Sequence, residues 1–254
     1  MTQQDLKQHQ LAHTPAAIRE RLASEPTHSY LRDFVYGAID GTVTTFAIVA
    51  GVEGAALPAQ VVCILGLVNL LADGFSMAAS NFLATRTERL QLAKAWHTER
   101  EHIARFPEGE KEEIRQVFAR KGFSGEVLEQ IVQVITADEE RWVQTMLTEE
   151  LGLRLNSPSP WRAAFMTFWA FVAVGLVPLI PYFLVMAGLL SLSQVFLVSC
   201  VGTALAFFIV GAMKSRFIYE PWYWTGTITL GVGGTAAVVA YLVGFLLKYW
   251  LAQG

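Results

Sequence analysis

Acidic, amide and thioether side chains occur at helical spacing inside two apolar stretches of this 254-residue sequence. Asp33 and Asp40 lie seven residues apart, which is close to two turns along one helix face. Asn69, Asp73 and Met77 recur at every fourth residue and therefore form one stripe along a second helix. A carboxylate in hydrocarbon is costly unless a cation or a proton neutralises it. These groups together suit a transition-metal dication of intermediate softness, and a buried carboxylate can exchange that cation for a proton.

A second set of candidate ligands lies in the polar stretch between residues 85 and 160. Its members form pairs spaced three residues apart, which places both members of a pair on one helix face. Glu-x-x-His is the arrangement that di-iron bundle proteins use to direct two ligands at one metal. One such pair is common on a solvated helix, but several pairs in one short segment predict a metal site. The pairs are Glu99 with His102, Glu110 with Glu113, and Met146 with Glu149.

Composition predicts the elements that carry these residues. Charged residues make up only 16% of the chain and mean hydropathy is +0.39, whereas a soluble domain carries about 25% charged residues. No Asp, Glu, Lys or Arg occurs in residues 163–213 or 221–247, and about 20 apolar residues are enough to cross a bilayer. We therefore predict an all-α membrane protein with five transmembrane helices and a small cytosolic helical domain inserted between spans two and three. The spans are predicted at residues 34–52, 61–83, 163–186, 192–213 and 224–247.

The distribution of Lys and Arg predicts the orientation. These residues are concentrated before span one, in the 85–160 connection and in the 214–221 link, and they are absent from the other two short connections. By the positive-inside rule the N-terminus and the long connection are cytosolic and the C-terminus is outside. The chain then divides into a cytosolic N-terminal segment (1–29), spans one and two (30–84), a cytosolic helical metal-binding domain (85–160) and spans three to five (161–254).

Local signals divide the 85–160 connection into helices. Span two is predicted to continue into it, and breaks are expected at Phe106-Pro107 and at Lys121-Gly122. Thr136 followed by Glu139 is typical of a capping box at the start of a further helix.

Several classes of partner and cofactor are disfavoured by the sequence. A net charge of −3 provides no basic excess for nucleic acid. Cys63 and Cys200 lie inside apolar runs without the spacing of a metal site, and no prosthetic group is indicated. The first 30 residues are polar and lack an apolar signal-peptide core, which favours a bacterial cytoplasmic membrane over a vacuolar one.

Three stretches of the spans resemble the vacuolar iron transporter family, which includes the yeast vacuolar iron/manganese importer and plant nodulin-like proteins. They are DGTVTTFAIVAG in span one, ADGFSMAAS in span two and VPLIPY in span three. In the long connection, PEGEKEEI and MLTEELGL are similar to the family forms that carry a cytosolic metal-binding domain. The resemblance extends from about Tyr30 to the C-terminus.

This resemblance implies a five-span homodimer around a central pathway that exchanges Fe²⁺ for protons. It assigns the pathway to the positions of Asp33, Asp40, Asn69 and Met77. It assigns metal binding in the cytosolic domain to Glu99, Glu110, Glu113 and Glu150, with Met146 as a nearby sulfur ligand.

The sequence departs from the family pattern at several of these positions. His102 and Leu147 stand where acids are expected, and Asn69 and Asn81 occupy positions where many relatives have glutamate. An imidazole in place of a carboxylate shifts preference toward Zn²⁺, Co²⁺ or Fe²⁺ over Mn²⁺.

The residues and the resemblance together predict a proton-coupled antiporter. It would export Fe²⁺, with Mn²⁺, Co²⁺ and Zn²⁺ as alternatives, from the cytosol through Asp33, Met77 and Asp40. The partners would be the metal ion, protons, the bilayer and a second copy of the chain. The alternative is a membrane-anchored metal-binding or sensing protein that moves no metal. A ferroxidase built on Glu99 and His102 is a third and weaker hypothesis. We therefore expect that the protein is not an enzyme.

Overall fold

The computed structural model describes residues 11–23 and 29–253, which form ten α-helices without a β-strand among them. The predicted N-terminal segment 1–29 therefore lies partly outside the described residues. Short irregular helices occur at three places among these residues: α6 passes into a π-helix at Met146–Glu150, a 3₁₀ turn at Val177–Leu179 joins α7 to α8, and a 3₁₀ turn at Lys214–Arg216 follows α9. The helices are α1 (Pro15–Ala23), α2 (Leu31–Gly54), α3 (Ala59–Arg105), α4 (Pro107–Arg120), α5 (Gly125–Thr136), α6 (Glu139–Thr145), α7 (Pro160–Gly175), α8 (Ile180–Met186), α9 (Leu192–Met213) and α10 (Trp222–Leu251).

Five helical segments are long and apolar enough to cross a membrane, which confirms the predicted all-α, five-span class. They are α2, α3, the α7–α8 pair, α9 with its following turn, and α10. The helix α9 has the predicted bounds, whereas α2, α7 and α10 extend a few residues beyond theirs; α10, for example, runs from Trp222 to Leu251 rather than from 224 to 247. The aromatic residues at both ends of α10 are compatible with helix and with a membrane interface, which is why hydropathy alone cut the span short.

The second span is one continuous helix of 47 residues, as the sequence predicts. At 1.5 Å per residue it is about 70 Å long, more than twice the hydrocarbon thickness of a bilayer. Its first half carries the stripe of Asn69, Asp73 and Met77, and its second half extends beyond the bundle with Glu99 and His102. A single rigid element therefore connects both sets of candidate ligands.

The third span is interrupted, which the sequence prediction of one uninterrupted helix missed. A 3₁₀ turn at Val177–Leu179 separates α7 from α8, because Pro178 and Pro181 lack the N–H that an α-helix needs. The carbonyl oxygen of Pro178 accepts a hydrogen bond from Ser199 Oγ at 2.7 Å. The break is thereby tied to the fourth span.

Glycines bring the spans of the bundle into close contact. A Cβ added at Gly37 would lie 2.6 Å from the carbonyl oxygen of Thr167, and Gly41 meets Phe171 in the same way. Only glycine allows α2 and α7 to approach at this distance. Around these contacts, Phe46, Leu179 and other large side chains fill the interior of the bundle.

The helices between spans two and three form a small unit with its own apolar core, which we call the insert (residues 85–159). Ile114, Val132, Trp142 and Met146 pack together at its centre. The predicted breaks at Phe106-Pro107 and Lys121-Gly122 are both present. The predicted cap at Thr136 is wrong: α5 extends through Thr136, and Asp138 caps α6 by accepting a hydrogen bond from the Arg141 amide at 2.8 Å.

Candidate functional site

A recess of about 470 Å³ opens between the first two spans where α3 leaves the bundle. Asp33 from α2 and Met77 from α3 both line it, so the structure brings together two predicted pathway residues from different helices. Because a carboxylate and a thioether face the same space, the recess offers mixed oxygen and sulfur ligands to a cation. Its other polar or charged lining residues are Arg32, Tyr36, Ser80, Asn81, Thr85, Glu88 and Thr167.

Asn81 organises the wall of this recess. Its Nδ2 donates to Asp33 Oδ1 at 2.9 Å and to Thr167 Oγ1 at 2.8 Å. Its Oδ1 accepts a hydrogen bond from Thr85 Oγ1 at 3.4 Å. The amide therefore ties spans one, two and three together and orients the Asp33 carboxylate.

Asp40 and Asp73 form an acidic pair farther along the spans from the recess, deeper in the membrane-spanning region. Seven residues of α2 separate Asp40 from Asp33, about 10 Å along the helix. Asp73 approaches Asp40 closely enough for the two carboxyl groups to repel each other. Asp40 is exposed on the surface of the protomer, whereas Asp73 is half-buried. Two neighbouring carboxylates can hold one dication or share protons.

Asn69 lies one turn beyond Asp73 on α3. Its Nδ2 is buried and makes no hydrogen bond within the part of the chain that the structure describes. The five predicted pathway residues thus fall into a recess pair, a deeper acidic pair and an unpaired amide.

A third group of ligands lies in the insert, outside the bundle. One ligand atom each from Glu99, His102 and Glu110 lies within 4.8 Å of the others. His102 Nδ1 is 3.4 Å from Glu110 Oε1. Glu99 and Glu110 are buried beneath the half-exposed imidazole. Glu113 and Glu150 flank the group at the surface.

The electrostatics of this cluster favour a cation. Burial, reinforced by the negative charges of Glu113 and Glu99, raises the pKa of Glu110 from 4.5 to about 7. Burial and the neighbouring Glu113 also raise the pKa of Glu150. Within residues 11–23 and 29–253, no Lys or Arg forms a salt bridge with these acids, and the buried Glu110 Oε2 has no hydrogen-bond partner. A bound dication would satisfy that oxygen and relieve the repulsion.

The structure does not bring two of the predicted insert ligands to this cluster. Met146 is fully buried in the apolar core beside Ile114 and Trp142. Glu149 forms a salt bridge with Lys121. The expected pairing of Met146 with Glu149 assumed α-helical spacing, but Met146–Glu150 is a π-helix, whose wider turn changes which residues share a face.

Sequence reasoning missed several polar residues of the recess, among them Thr167 and Glu88. Thr167 lies in an uncharged apolar run, and only its contact with Asn81 indicates its position. Glu88 follows Asn81 by seven residues, so the stripe of Asn69, Asp73 and Met77, continued along α3, could have identified it.

The fold and these three acidic sites define a multi-pass membrane protein that presents metal-ligating groups from its spans and from its insert. The family comparison is consistent with this class: the chain belongs to the VIT family, whose sequence model matches residues 31–245.

The relatives of this chain carry a common name. This chain is 34% identical to the "Vacuolar iron transporter" of Toxoplasma gondii, and the match covers 86% of this chain and 74% of that protein. It is 30% identical to "Vacuolar iron transporter 1" of Tulipa gesneriana, covering 83% of this chain and 84% of the relative. It is 28% identical to "Vacuolar iron transporter 1" of Arabidopsis thaliana, covering 86% of each. These relatives are transporters, so the chain is a membrane transporter and not an enzyme.

Proposed function

We propose that this protein is a proton-coupled antiporter that exports Fe²⁺ from the cytosol. The observation that carries the proposal is the pair of acidic sites in the spans, Asp33 with Met77 and Asp40 with Asp73. Residues 34–85, which include Asp40 and Asp73, contain no Lys or Arg that would neutralise this deeper pair permanently. For Asp40 and Asp73, a metal ion and protons are therefore the available counter-charges.

The proposed route follows α3. The insert cluster with Glu99 and His102 collects the ion from solution, and the recess with Met77 receives it at the mouth of the bundle. Along α3, Glu88 lies between Met77 and the insert cluster, and it lines the wall of the recess. From the recess the ion passes to the Asp40–Asp73 pair, one step deeper.

Proton coupling follows from the chemistry of the deeper pair. A metal ion bound by two carboxylates leaves when protons from the far side neutralise them, and the vacated pair then releases those protons toward the cytosol. The metal and the protons thus occupy the same groups alternately, which is the requirement for exchange in opposite directions.

The direction, the metal and the membrane rest on separate arguments. The positive-inside rule supports a cytosolic insert, from which the ion moves outward. The names of the relatives support iron, and carboxylate, thioether and imidazole ligands suit Fe²⁺, with Mn²⁺ as the second candidate. Those names also support a vacuolar membrane; in a bacterium the equivalent movement out of the cytosol crosses the cytoplasmic membrane.

A homodimer would complete the pathway. Tyr36 and Asp40 lie four residues apart on one face of α2 and both are exposed in the single protomer. Because an acid facing lipid is costly, we propose that a second copy covers this face and encloses the path between two protomers.

The test is metal-driven proton movement in proteoliposomes. We expect Asp40→Asn to abolish Fe²⁺ uptake and the accompanying pH change while the protein remains folded and dimeric. Glu53→Gln is the matched control, since Glu53 belongs to the same helix but does not line the recess. Wild-type rates in the Asp40→Asn variant would refute the proposed pathway.

A membrane-anchored metal sensor is the second candidate, because the insert cluster is complete without the spans. The same assay separates the two: a sensor binds Fe²⁺ in the insert, but the wild-type protein moves none across the bilayer.

A further inference from the structure

An apolar groove of about 850 Å³ lies between spans two and three, on the side of α3 that faces away from the acidic stripe. Phe75, Ala79 and Phe82 line it from α3, and Trp161 and Phe165 line it from α7. We call this the aromatic groove. Its volume falls within the range of about 300–1,000 Å³ that is usual for sites binding small molecules. Phe75 lies about 200° around the helix from Asp73, so the groove lies outside the proposed metal path.

The groove has one charged end. Arg162 lines it at the start of α7, at the end of the bundle from which the insert emerges. Arg162 makes no salt bridge or hydrogen bond with the residues that the structure describes, outside the gaps at 1–10 and 24–28. The rest of the wall is almost wholly apolar, with Phe75, Trp161 and Phe165 between 65% and 74% exposed.

This layout matches the chemistry of one lipid molecule. A cationic group at the membrane interface with an apolar channel running from it complements a phosphate with an attached acyl chain. We propose that the aromatic groove is a binding site for an anionic phospholipid, with the phosphate on Arg162 and an acyl chain between Phe82 and Phe165. A second protein copy fits less well, because it would have to supply both a matching ridge and an anion for Arg162.

Occupancy would act on the recess through the two helices that both sites share. On α3, Met77 and Asn81 face the recess, while Ala78 and Phe82, the residues that follow them, face the groove. On α7, Thr167 faces the recess and Phe168 the groove. A lipid seated in the groove therefore packs against the outer side of the helices that hold Asn81 and Thr167. This consequence rests on the proposed function, whereas the lipid site itself does not.

The test measures retained lipid on the purified full-length protein by native mass spectrometry, with phosphatidylglycerol and phosphatidylcholine added in equal amounts. We expect the wild type to retain phosphatidylglycerol preferentially and Arg162→Gln to lower that preference about fivefold. This factor is what one cation at the membrane interface contributes to the binding of an anionic lipid. Arg216→Gln is the matched control, since Arg216 is also exposed at this end of the bundle. Equal effects of the two substitutions, or no effect of Arg162→Gln, would overturn the proposal.

A second pair of variants tests the acyl chain. Ala79→Trp or Ala164→Trp fills the groove from either helix, and we expect each to reduce retention of both lipids while the melting temperature stays near that of the wild type. Unchanged lipid retention contradicts the site. Conversion of a wild-type dimer to a monomer by either variant would also overturn it, because the groove would then be a protein interface. Neither readout depends on metal transport, so failure of the lipid-site proposal can be distinguished from failure of the antiporter proposal.

Discussion

His102 is the residue that most distinguishes the insert cluster from an all-carboxylate site. Its Nδ1 lies 3.4 Å from Glu110 Oε1, and Glu99 completes the group. An imidazole ligand favours Fe²⁺, Co²⁺ and Zn²⁺, whereas a set of carboxylates alone is well suited to Mn²⁺. If the insert cluster binds the ion, we therefore expect its metal preference to depend on His102.

We expect His102→Glu to reduce the discrimination of Fe²⁺ against Mn²⁺ roughly tenfold, about 1.4 kcal/mol. Competition calorimetry under anaerobic conditions measures it on the full-length protein in detergent. His97→Glu is the control, since His97 is exposed on the same helix and lies outside the cluster. An equal change in both variants would show that charge, and not ligation, sets the preference.

Glu110 makes the cluster sensitive to pH. Its pKa of about 7 in the folded protein lies above the ordinary 4.5, so the folded state holds a proton that the unfolded chain releases. The raised pKa therefore stabilises the metal-free protein fully below about pH 4.5, and this contribution is lost as the pH rises toward 7. The total loss is on the order of 3 kcal/mol.

We expect the metal-free protein to melt at a lower temperature at about pH 8 than at about pH 6, and Glu110→Gln to remove most of that difference. Metal affinity should change in the opposite sense, rising as the pH passes 7 because the metal displaces the proton. Thermal denaturation and metal titration at both pH values measure the two effects. Glu126→Gln, an exposed substitution on α5, should alter neither.

The contact between α2 and α7 determines whether the recess keeps its shape. Gly37 lies against the backbone of Thr167, whose hydroxyl accepts the hydrogen bond from Asn81. A displacement of α7 by a fraction of an ångström would change the position of Thr167 and with it the orientation of Asp33. The glycine therefore supports the site without offering a ligand.

We expect Gly37→Ala to destabilise the protein by about 1–3 kcal/mol, because its Cβ would overlap a backbone oxygen that cannot move freely. The rate of Fe²⁺ transport should decrease together with the stability. Gly231→Ala on α10, where nothing lies within 4 Å, is the matched control and should be neutral. Melting temperature and Fe²⁺ uptake are the measurements, and equal stability of the two variants would contradict the role assigned to close packing.

The whole molecule consists of a span bundle and an insert joined by α3. Because α3 contributes residues to the insert cluster and to both acidic sites in the spans, it would connect collection of the ion by the insert with its movement through the bundle in the proposed mechanism. In the single chain, Asp40 is exposed on the bundle surface.

If a second copy covers Asp40, we expect Tyr36→Cys to form a disulfide-linked dimer in membranes under mild oxidation. Tyr36 is 47% exposed one turn from Asp40. Trp161→Cys, which is more accessible in the aromatic groove, should remain monomeric on a non-reducing gel. A cross-link at Trp161 instead would place the interface on the opposite side of span two.

The sequence by itself determined the five spans and the long second helix, and it predicted the candidate acidic ligands in the spans and in the insert. These features depend on composition and helical spacing within one segment, and the cost of burying charge in hydrocarbon makes that local information decisive. The tertiary structure alone decided which residues meet. Asn81 bonds to Asp33 and Thr167, which are 48 and 86 residues away, and no periodicity predicts such contacts. The π-helix at Met146–Glu150 likewise separates Glu149 from the cluster, because the packing of the insert, and not local propensity, sets that turn.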